Sequence, residues 1–457
     1  MSVYLTEALE KKWAPILDNP TFPRIKDDYR REVTGKLLEN TQTSFLSEAT
    51  PVTSISTGGI ANWEPVLINL IRRTMPTLVA YDICSVQPMN GPVGQIFAMK
   101  SMYTNNDTNR ANWSEALFDN VKTEYSGQGQ GGIGLPGTDE QNDMFQAGTA
   151  NNVVTNANYK SGTGIPTYDN SGTVPGWGSH NTAGPVTSEN WGGASGPVFG
   201  QMSFTIDKTM VEAKSRALRA DYTTELEQDL KQMRGMSVEA ELTNILSTEI
   251  ALEINREILY TMIASAKVGM QNKADYKGIF DADTDSDGRW SVEKWKGLMY
   301  NIEVEANKVA RDTRRGRANF IICTSDVASA LAMAQILDYT PALQANLEVD
   351  DTGNIFAGTL AGRYRVYIDP FWTGSYNYLV IGYKGTSPYD SGLFYCPYIP
   401  LEMVRSVNPA TYQPSIGFKT RYGIVANPFT GNASNNGNGL TPGSNCYYRK
   451  FKILNLI

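Results

Sequence analysis

The stretch SVEAELTNILSTEIALEINREILYTMIASAKV, residues 237–268, carries the longest helical pattern of the sequence. Its apolar side chains recur at intervals of three and four residues and are Leu242, Ile245, Leu246, Ile250, Ile254, Ile258 and Met262. This spacing is typical of an amphipathic helix, which would measure about 45–48 Å at ~1.5 Å per residue. Gly269 follows at a common C-terminal capping position. The sequence therefore predicts one helix from Ser237 to Val268.

One side of this predicted helix is acidic. Glu249, Glu253 and Glu257 stack at four-residue intervals, and like charges at that spacing mildly destabilise an isolated helix. Two interpretations remain open, a solvated acidic face or a face that meets basic residues of a neighbouring subunit. The end of a second predicted helix carries a basic cluster made of Arg311, Arg314, Arg315 and Arg317. This cluster either complements the dipole of its helix or contacts a neighbouring subunit.

Composition and charge bound the class of protein. The 457 residues suffice for more than one core, and the net charge of −7 does not indicate a nucleic-acid-binding surface. No apolar run approaches the ~20 residues of a membrane helix, and charges interrupt the N-terminus where a signal peptide would be apolar. The cysteines, Cys84, Cys323, Cys396 and Cys446, form no CxxC pair, which favours a reducing compartment without disulfides. We therefore expect a soluble intracellular protein.

An acidic segment, DADTDSDGRWSVE, resembles a calcium-binding loop at first sight. With Gly288 at position 6 of an EF-hand loop, Asp283, Asp285 and Asp287 occupy positions 1, 3 and 5. Position 12 is then Lys294, a cation where the loop requires a bidentate glutamate. We interpret the segment as a polar turn that leads into a helix, and the three aspartates remain weak calcium candidates.

Neither the histidine nor the glycine-rich middle of the chain indicates catalysis. The single histidine, His180, lies in a Gly/Ser/Thr stretch without a nearby acid or nucleophile motif, so we interpret it as a solvated side chain. Gly127, Gly129 and Gly132 spell GxGxxG, but no strand pattern precedes them and no helical pattern follows. The interpretation is a protein that is not an enzyme and binds no cofactor.

The remaining patterns divide the chain along its length. Two helical patterns fill residues 1–48, and the next residues lack periodicity, as an extended arm would. Residues 126–200 are too rich in glycine and polar residues for regular helices, and they are too long for a plain loop. SFTIDKTMVEAKSRALRADY begins as a strand and is predicted to become helical. After residue 290, helical and strand patterns alternate, as in a mixed α/β region.

Several long stretches follow one another in a characteristic order: LIRRTMPTLVAYDICSVQPMNGPVGQIFAMKSMY, EAKSRALRADYTTELEQDL, EIALEINRE, GRANFII, FAGTLAGRYRVYID and GFKTRYGI. In this order they resemble the major capsid protein family of T-even-like tailed phages. The resemblance covers most of residues 1–103 and 202–457, and it is more specific than a short motif. The Gly/Asn/Thr-rich middle is similar in position only.

The resemblance implies an α+β fold, the HK97-like phage capsid fold. This fold has an N-terminal arm, an extended β-hairpin loop, a peripheral domain with a long spine helix, and an α/β axial domain. The implied division of the chain is a propeptide-like helical segment (1–48), an arm (49–62), the start of the peripheral domain with the outgoing strand of the extended loop (63–103), a Gly-rich excursion or insertion (104–200), the returning strand with the spine helix (201–269), the axial domain (270–400) and a return to the peripheral domain (401–457).

The resemblance also implies proteolytic processing, because the prohead protease of the family cuts after a Leu/Ile-x-Glu motif. Leu46, Ser47 and Glu48, followed by Ala49, fit this motif. They stand between the second helical pattern and the extended arm. The bond after Glu48 is therefore a predicted cleavage site.

The resemblance implies a structural protein that self-assembles into hexameric capsomers, with pentameric capsomers as a second arrangement, and forms an icosahedral head around double-stranded DNA. Its implied partners are vertex, portal, scaffold, prohead protease and decoration proteins, and packaged DNA bound without sequence specificity. Assembly is expected in the bacterial host cytoplasm, without a membrane. Two alternatives remain open, the pentamer-forming vertex protein of the same fold and a calcium-binding surface module.

Overall fold

The structure is a computed structural model that describes residues 2–18, 25, 27–48, 65–104, 113–116, 200–271, 277–285, 290–333, 337–339, 355–387, 389–408, 413–428 and 442–456. Its helices are α1 (Ser2–Leu17), α2 (Asp28–Glu48), α3 (Pro65–Thr74), α4 (Ala80–Ile83), α5 (Thr224–Arg234), α6 (Val238–Ser265), α7 (Ser291–Thr313) and α8 (Ser325–Met333), with a 3₁₀ turn at Met75–Thr77. Its strands are β1 (Ser85–Val86), β2 (Val93–Tyr103), β3 (Ser114–Glu115), β4 (Met202–Glu212), β5 (Lys214–Asp221), β6 (Ala266–Val268), β7 (Ile279–Asp281), β8 (Phe320–Thr324), β9 (Leu337–Tyr339), β10 (Ile355–Leu360), β11 (Tyr364–Asp369), β12 (Asn377–Gly382), β13 (Leu393–Val407), β14 (Pro414–Ala426) and β15 (Asn445–Leu454). This mixture confirms the α+β class.

Two units make up the chain. One contains residues 1–98 and 207–457, and the other contains residues 99–206. Among the described helices, none is long and apolar enough to cross a membrane.

The larger sheet lies in the first unit and has the strand order β6-β15-β12-β8-β11-β10-β9, with β7 also paired to β15. Its central strand β8 is buried along its whole length. Ile321 and Cys323 of this strand belong to a core shared with α7 and α8, whereas Phe320 and Ile322 belong to a core shared with α6. Alternate residues therefore serve opposite faces, as the two-residue period of a strand requires. Both faces of the sheet are covered by helices.

The smaller sheet has the strand order β1-β13-β14-β5. One face of it packs on α6, where Ile254 and Ile258 share a core with Phe418 and Tyr422 of β14. Helix α6 therefore contributes to the cores beside both sheets. Strand β15 pairs in the larger sheet. The implied assignment of residues 401–457 to a return to the peripheral domain stays a prediction.

The long helix predicted at residues 237–268 is confirmed, but its predicted C-terminal end is wrong. The helix stops at Ser265, and the following residues form β6, which runs parallel to β15. Beyond β6, the backbone N–H of Gly269 donates to the carbonyl of Lys450 at 2.8 Å. The backbone groups of residues 266–269 thus form hydrogen bonds with β15 instead of continuing the helix. The partner lies far along the chain, so the local helical pattern did not reveal it.

A second difference concerns the residues after β4. The predicted change from strand to helix is wrong, because β5 is a strand that pairs with β14 from Lys214↔Tyr422 to Asp221↔Ser415. Residues such as Arg, Ala and Leu favour helices in isolation, but the open edge of β14 supplies a complete antiparallel ladder. Tertiary pairing overrides the local helical preference here.

The N-terminal helices α1 and α2 are part of the core of the first unit. Their buried apolar side chains are Trp13, Leu17, Val33, Leu37 and Leu38. These side chains share one core with α3, α4, α6 and the smaller sheet. Helices α1 and α2 are therefore packed against the rest of the unit rather than forming a separate body.

Candidate assembly surface

Strands β2, β3 and β4 form a ribbon in the order β3-β2-β4 that leaves large apolar side chains in water. In β4 only Val211 is buried, and Phe204 and Ile206 are 61% and 56% exposed. In β2, Phe97 and Met99 are 57% and 67% exposed. Ile96 and Val211 anchor the ribbon in a core with β13 and β14. Covering one of the exposed side chains is worth about 1.5–3 kcal/mol. The ribbon therefore has the character of a surface that a partner covers.

Helix α5 is a second element with exposed apolar side chains that the described part of the chain does not cover. The backbone N–H of Leu226 donates to the Thr223 hydroxyl oxygen at 3.3 Å at its start, and Gly235 ends it with a φ of 67°. The helix is thus well capped at both ends. It nevertheless has no buried residue, and Met233 is 82% exposed. Since most helical stability in proteins comes from packing, α5 is also expected to gain stability from a partner.

Two of the three glutamates on the acidic face of α6 already have a partner in the same chain. Arg216 of β5 contacts the carboxylate of Glu253 and lies 2.7 Å from Oε2 of Glu257. The hydroxyl of Tyr422 donates to Glu257. The pKa of Tyr422 is raised, mainly because the ring is buried and secondly because of this hydrogen bond. Glu249 forms no ion pair with the described residues. A contact between this face and a neighbouring subunit remains a prediction, and Glu249 is the glutamate best placed to make it.

The basic cluster at the C-terminal end of α7 also has partners within the chain. Arg315 Nη1 lies 3.3 Å from Asp390 Oδ1, and Arg317 pairs with a glutamate of α7. Arg314 ends the helix with a φ of 53°, and its Nε donates to the carbonyl of Arg311 at 2.9 Å. Arg311 is exposed. A subunit contact through these arginines remains a prediction.

A buried ionic cluster was missed by sequence reasoning. Glu305 Oε1 accepts hydrogen bonds from Lys308 Nζ at 2.7 Å and from the backbone N–H of Met270 at 2.9 Å, and its Oε2 accepts one from Arg449 at 3.2 Å. Arg449 Nη2 also lies 2.7 Å from Asp312 Oδ2. Buried charges are tolerated when they are paired and hydrogen-bonded, so this cluster joins α7, β15 and the chain after β6. The signal in the sequence was a glutamate within an apolar helical face.

The acidic loop directs its carboxylates to neighbours in the same chain. Asp283 Oδ1 accepts a hydrogen bond at 2.8 Å from Lys294, the cation at position 12 of the tested calcium register. Asp285 Oδ2 accepts the backbone N–H of Asp281 at 3.0 Å. Asp287 lies outside the described residues. In the part of the chain that the structure describes, no group of three or more His, Cys, Asp or Glu side chains could hold a metal ion.

The predicted cleavage motif lies at the end of a helix. Leu46 and Glu48 belong to the last turn of α2, and Ala49 lies outside the described residues. His180 and the glycines of the GxGxxG sequence, Gly127, Gly129 and Gly132, also lie outside the described residues. The interpretations of these residues stay predictions.

Known proteins are similar in sequence to this chain along almost its whole length. The family described as Major capsid protein Gp23 matches residues 60–453. A major capsid protein of Serratia phage KSP90 is 37% identical over 467 residues, which cover 99% of both chains. The major capsid protein of Enterobacteria phage T4 is 33% identical over 493 residues, which cover 95% of this chain and 94% of that one. A capsid vertex protein of the same phage is 28% identical over 240 residues, or 50% of this chain and 53% of the relative.

Solved phage capsid structures show a weaker likeness. The structure titled "The capsid of Myoviridae Phage XM1" has 8% sequence identity and a TM-score of 0.34, and the match covers 57% of this chain and 80% of that chain. Values this low carry no weight in the assignment, which rests on the sequence matches. A family match over residues 60–453, together with nearly full-length relatives at 33% and 37% identity, shows that this chain belongs to the Gp23 family of phage major capsid proteins.

Proposed function

We propose that the chain self-assembles into hexameric capsomers, which build the icosahedral head that encloses phage double-stranded DNA. Beyond family membership, one observation carries this proposal: the β2–β4 ribbon and α5 expose apolar side chains that the described part of the chain does not cover. Neighbouring copies cover these surfaces. Obligate interfaces of this kind commonly exceed about 2,000 Å².

The charge of the chain suits a container for DNA. A strongly basic lining would add sequence-independent affinity for phosphates, whereas this chain has a net charge of −7. The shell therefore encloses the packaged DNA without binding it strongly. Assembly takes place in the host cytoplasm, and the product is the virion head.

The HK97-like division of the chain is part of this proposal. Helix α6 is the spine helix, the ribbon belongs to the extended loop, and the larger sheet with α7 and α8 belongs to the axial domain. Cleavage between Glu48 and Ala49 by a prohead protease is likewise proposed, from the Leu-x-Glu motif at the end of α2.

A matched pair of variants on β4 tests the role of the ribbon. Phe204→Ser removes an exposed apolar ring, and we expect it to weaken each subunit contact by about tenfold or more, because the ring is worth about 1.5–3 kcal/mol when covered. Lys208→Ser changes an exposed polar residue of the same strand and serves as the control. Electron microscopy counts the particles formed by each purified chain. Equal particle yields for Phe204→Ser and the wild type would show that the ribbon is not an assembly surface.

The vertex role is the second candidate function, since a capsid vertex protein matches half of this chain. The two roles differ in the capsomers that contain the chain. Particles in which this chain occupies only the fivefold positions would favour the vertex role over the hexamer role.

A further inference from the structure

One end of α2 is held to the rest of the unit through Arg30. Its Nη2 lies 2.6 Å from Asp82 Oδ1, and its Nη1 donates to the carbonyl of Pro76 at 2.8 Å. Its guanidinium also lies over the ring of Tyr81, 5.2 Å from the centroid. A planar guanidinium satisfied by a carboxylate, a carbonyl and an aromatic face fixes both the position and the orientation of the helix.

A second contact point of α2 is Asn40, which lies near the middle of the helix. Its amide nitrogen donates to the carbonyls of Met89 at 2.7 Å and Tyr398 at 3.1 Å, so one side chain bridges two separate segments. Between Arg30 and Asn40, the side chains of Val33 and Leu37 are buried. Between Arg30 and Asn40, the helix thus has a buried apolar stretch with a polar contact on either side of it.

Helix α1 is held by contacts with α2 and α3. Arg72 of α3 donates to the carbonyl of Leu17 at 3.0 Å, and Arg31 of α2 pairs with Asp18 at 2.8 Å. The two N-terminal helices therefore dock together. Buried apolar contacts and hydrogen bonds hold the two helices to the rest of the unit. These contacts do not involve the peptide bond that follows Glu48.

We propose that the surface formed by the 3₁₀ turn, α4, Met89 and β13 is a binding site whose ligand is the pair of helices α1 and α2, and that this ligand stays bound after the chain is cut behind Glu48. The biological role of this site rests on the cleavage that is part of the proposed function. The contacts that form the site do not depend on that cleavage. Processing is then a two-step event. Scission breaks one peptide bond, and departure of the segment requires a separate rearrangement that breaks the Arg30 and Asn40 contacts.

The experiment uses the full chain with the recognition sequence of a specific protease inserted between Glu48 and Ala49. The folded chain is cut, and size-exclusion chromatography followed by denaturing electrophoresis shows whether residues 1–48 remain in the fraction that holds the larger piece. Retention at one copy per larger piece is the expected result, in whichever state of assembly the chain is obtained. Release of the segment on cutting would overturn the proposal, whether or not the larger piece then stays in solution.

Variants of the same cut chain test the contacts. Asn40→Ala removes two hydrogen bonds at the edge of the site without opening the core, and we expect the segment to dissociate about tenfold faster. Glu32→Ala changes an exposed residue of the same helix and is expected to leave the dissociation rate unchanged. Identical rates for the two variants would mean that the surface does not recognise its segment through these groups. Assembly is not measured here, so a failure of the assembly proposal would leave this result intact.

Discussion

At the scale of the residue, Glu305 shows how much one buried carboxylate can hold together. Its two oxygens accept hydrogen bonds from Lys308, Arg449 and the backbone of Met270, and its side chain is 2% exposed. Glu305→Gln removes the buried carboxylate that pairs with Lys308 and leaves Arg449 with Asp312 alone. We expect the free energy of unfolding to fall by about 3–5 kcal/mol, as measured by urea denaturation.

Glu293 provides the control for this experiment, because it is an exposed carboxylate on the same helix. Glu293→Gln is expected to change the free energy of unfolding by less than about 0.5 kcal/mol. If both variants unfolded at the same urea concentration, the ionic cluster would not be holding α7 to β15.

The buried thiols predict a dependence on pH. Burial raises the pKa of Cys84, Cys323 and Cys396 to about 12 from the ordinary value of 9.0. The unfolded chain therefore loses these protons at a lower pH than the folded chain does. The stability that they contribute is present below about pH 9 and is lost as the pH rises from about 9 to about 12.

We expect these three thiols to be inert toward a thiol reagent at about pH 8 until urea is added, because the reactive thiolate is scarce. Rapid reaction of all four cysteines in the folded chain would contradict this.

At the scale of the element, β5 and α6 are joined by Arg216, which neutralises Glu253 and Glu257. The side chains of Glu253 and Glu257 are 53% and 37% exposed, so solvent screens the pairs. Arg216→Ala is therefore expected to lower the free energy of unfolding by at most about 1 kcal/mol, with a smaller loss at high salt. Urea denaturation at low and high salt measures the difference.

Arg219, on the same strand, pairs with Asp221 and is more exposed than Arg216. Arg219→Ala is thus the matched control, and its effect should be smaller. A loss of several kcal/mol for Arg216→Ala, independent of salt, would show that the acidic face is a buried structural contact rather than a screened one.

At the scale of the whole molecule, the exposed ribbon and α5 predict where assembly stabilises the chain. Backbone amides of β4 and α5 are expected to exchange with deuterium quickly in the unassembled chain and slowly in particles, because local opening is costly only where neighbours cover the backbone. Strand β8 is buried in the single chain and should be protected in both states. Hydrogen-exchange mass spectrometry compares the two. Equal exchange of β4 in both states would remove the ribbon from the interface.

Several features could be predicted from the sequence because they depend on residues close together along the chain. The apolar period of residues 237–268 predicted a long helix, and the structure has one at Val238–Ser265. The acidic loop was interpreted as a polar turn leading into a helix, and α7 begins at Ser291. The long characteristic stretches identified the family, which the comparisons confirm.

Other features were decided only by the tertiary structure. The long helix ends at Ser265 because β15 pairs with the residues that follow, and KSRALRAD is a strand because β14 has a free edge. The docking of α2 and the pairing of Glu305 with Arg449, 144 residues apart, belong to the same class. Helical and strand periods record which face of a segment avoids water, and neighbouring residues alone set them. The choice of partner across the fold depends on which distant backbone groups and charges remain unsatisfied, and that is known only once the chain has folded.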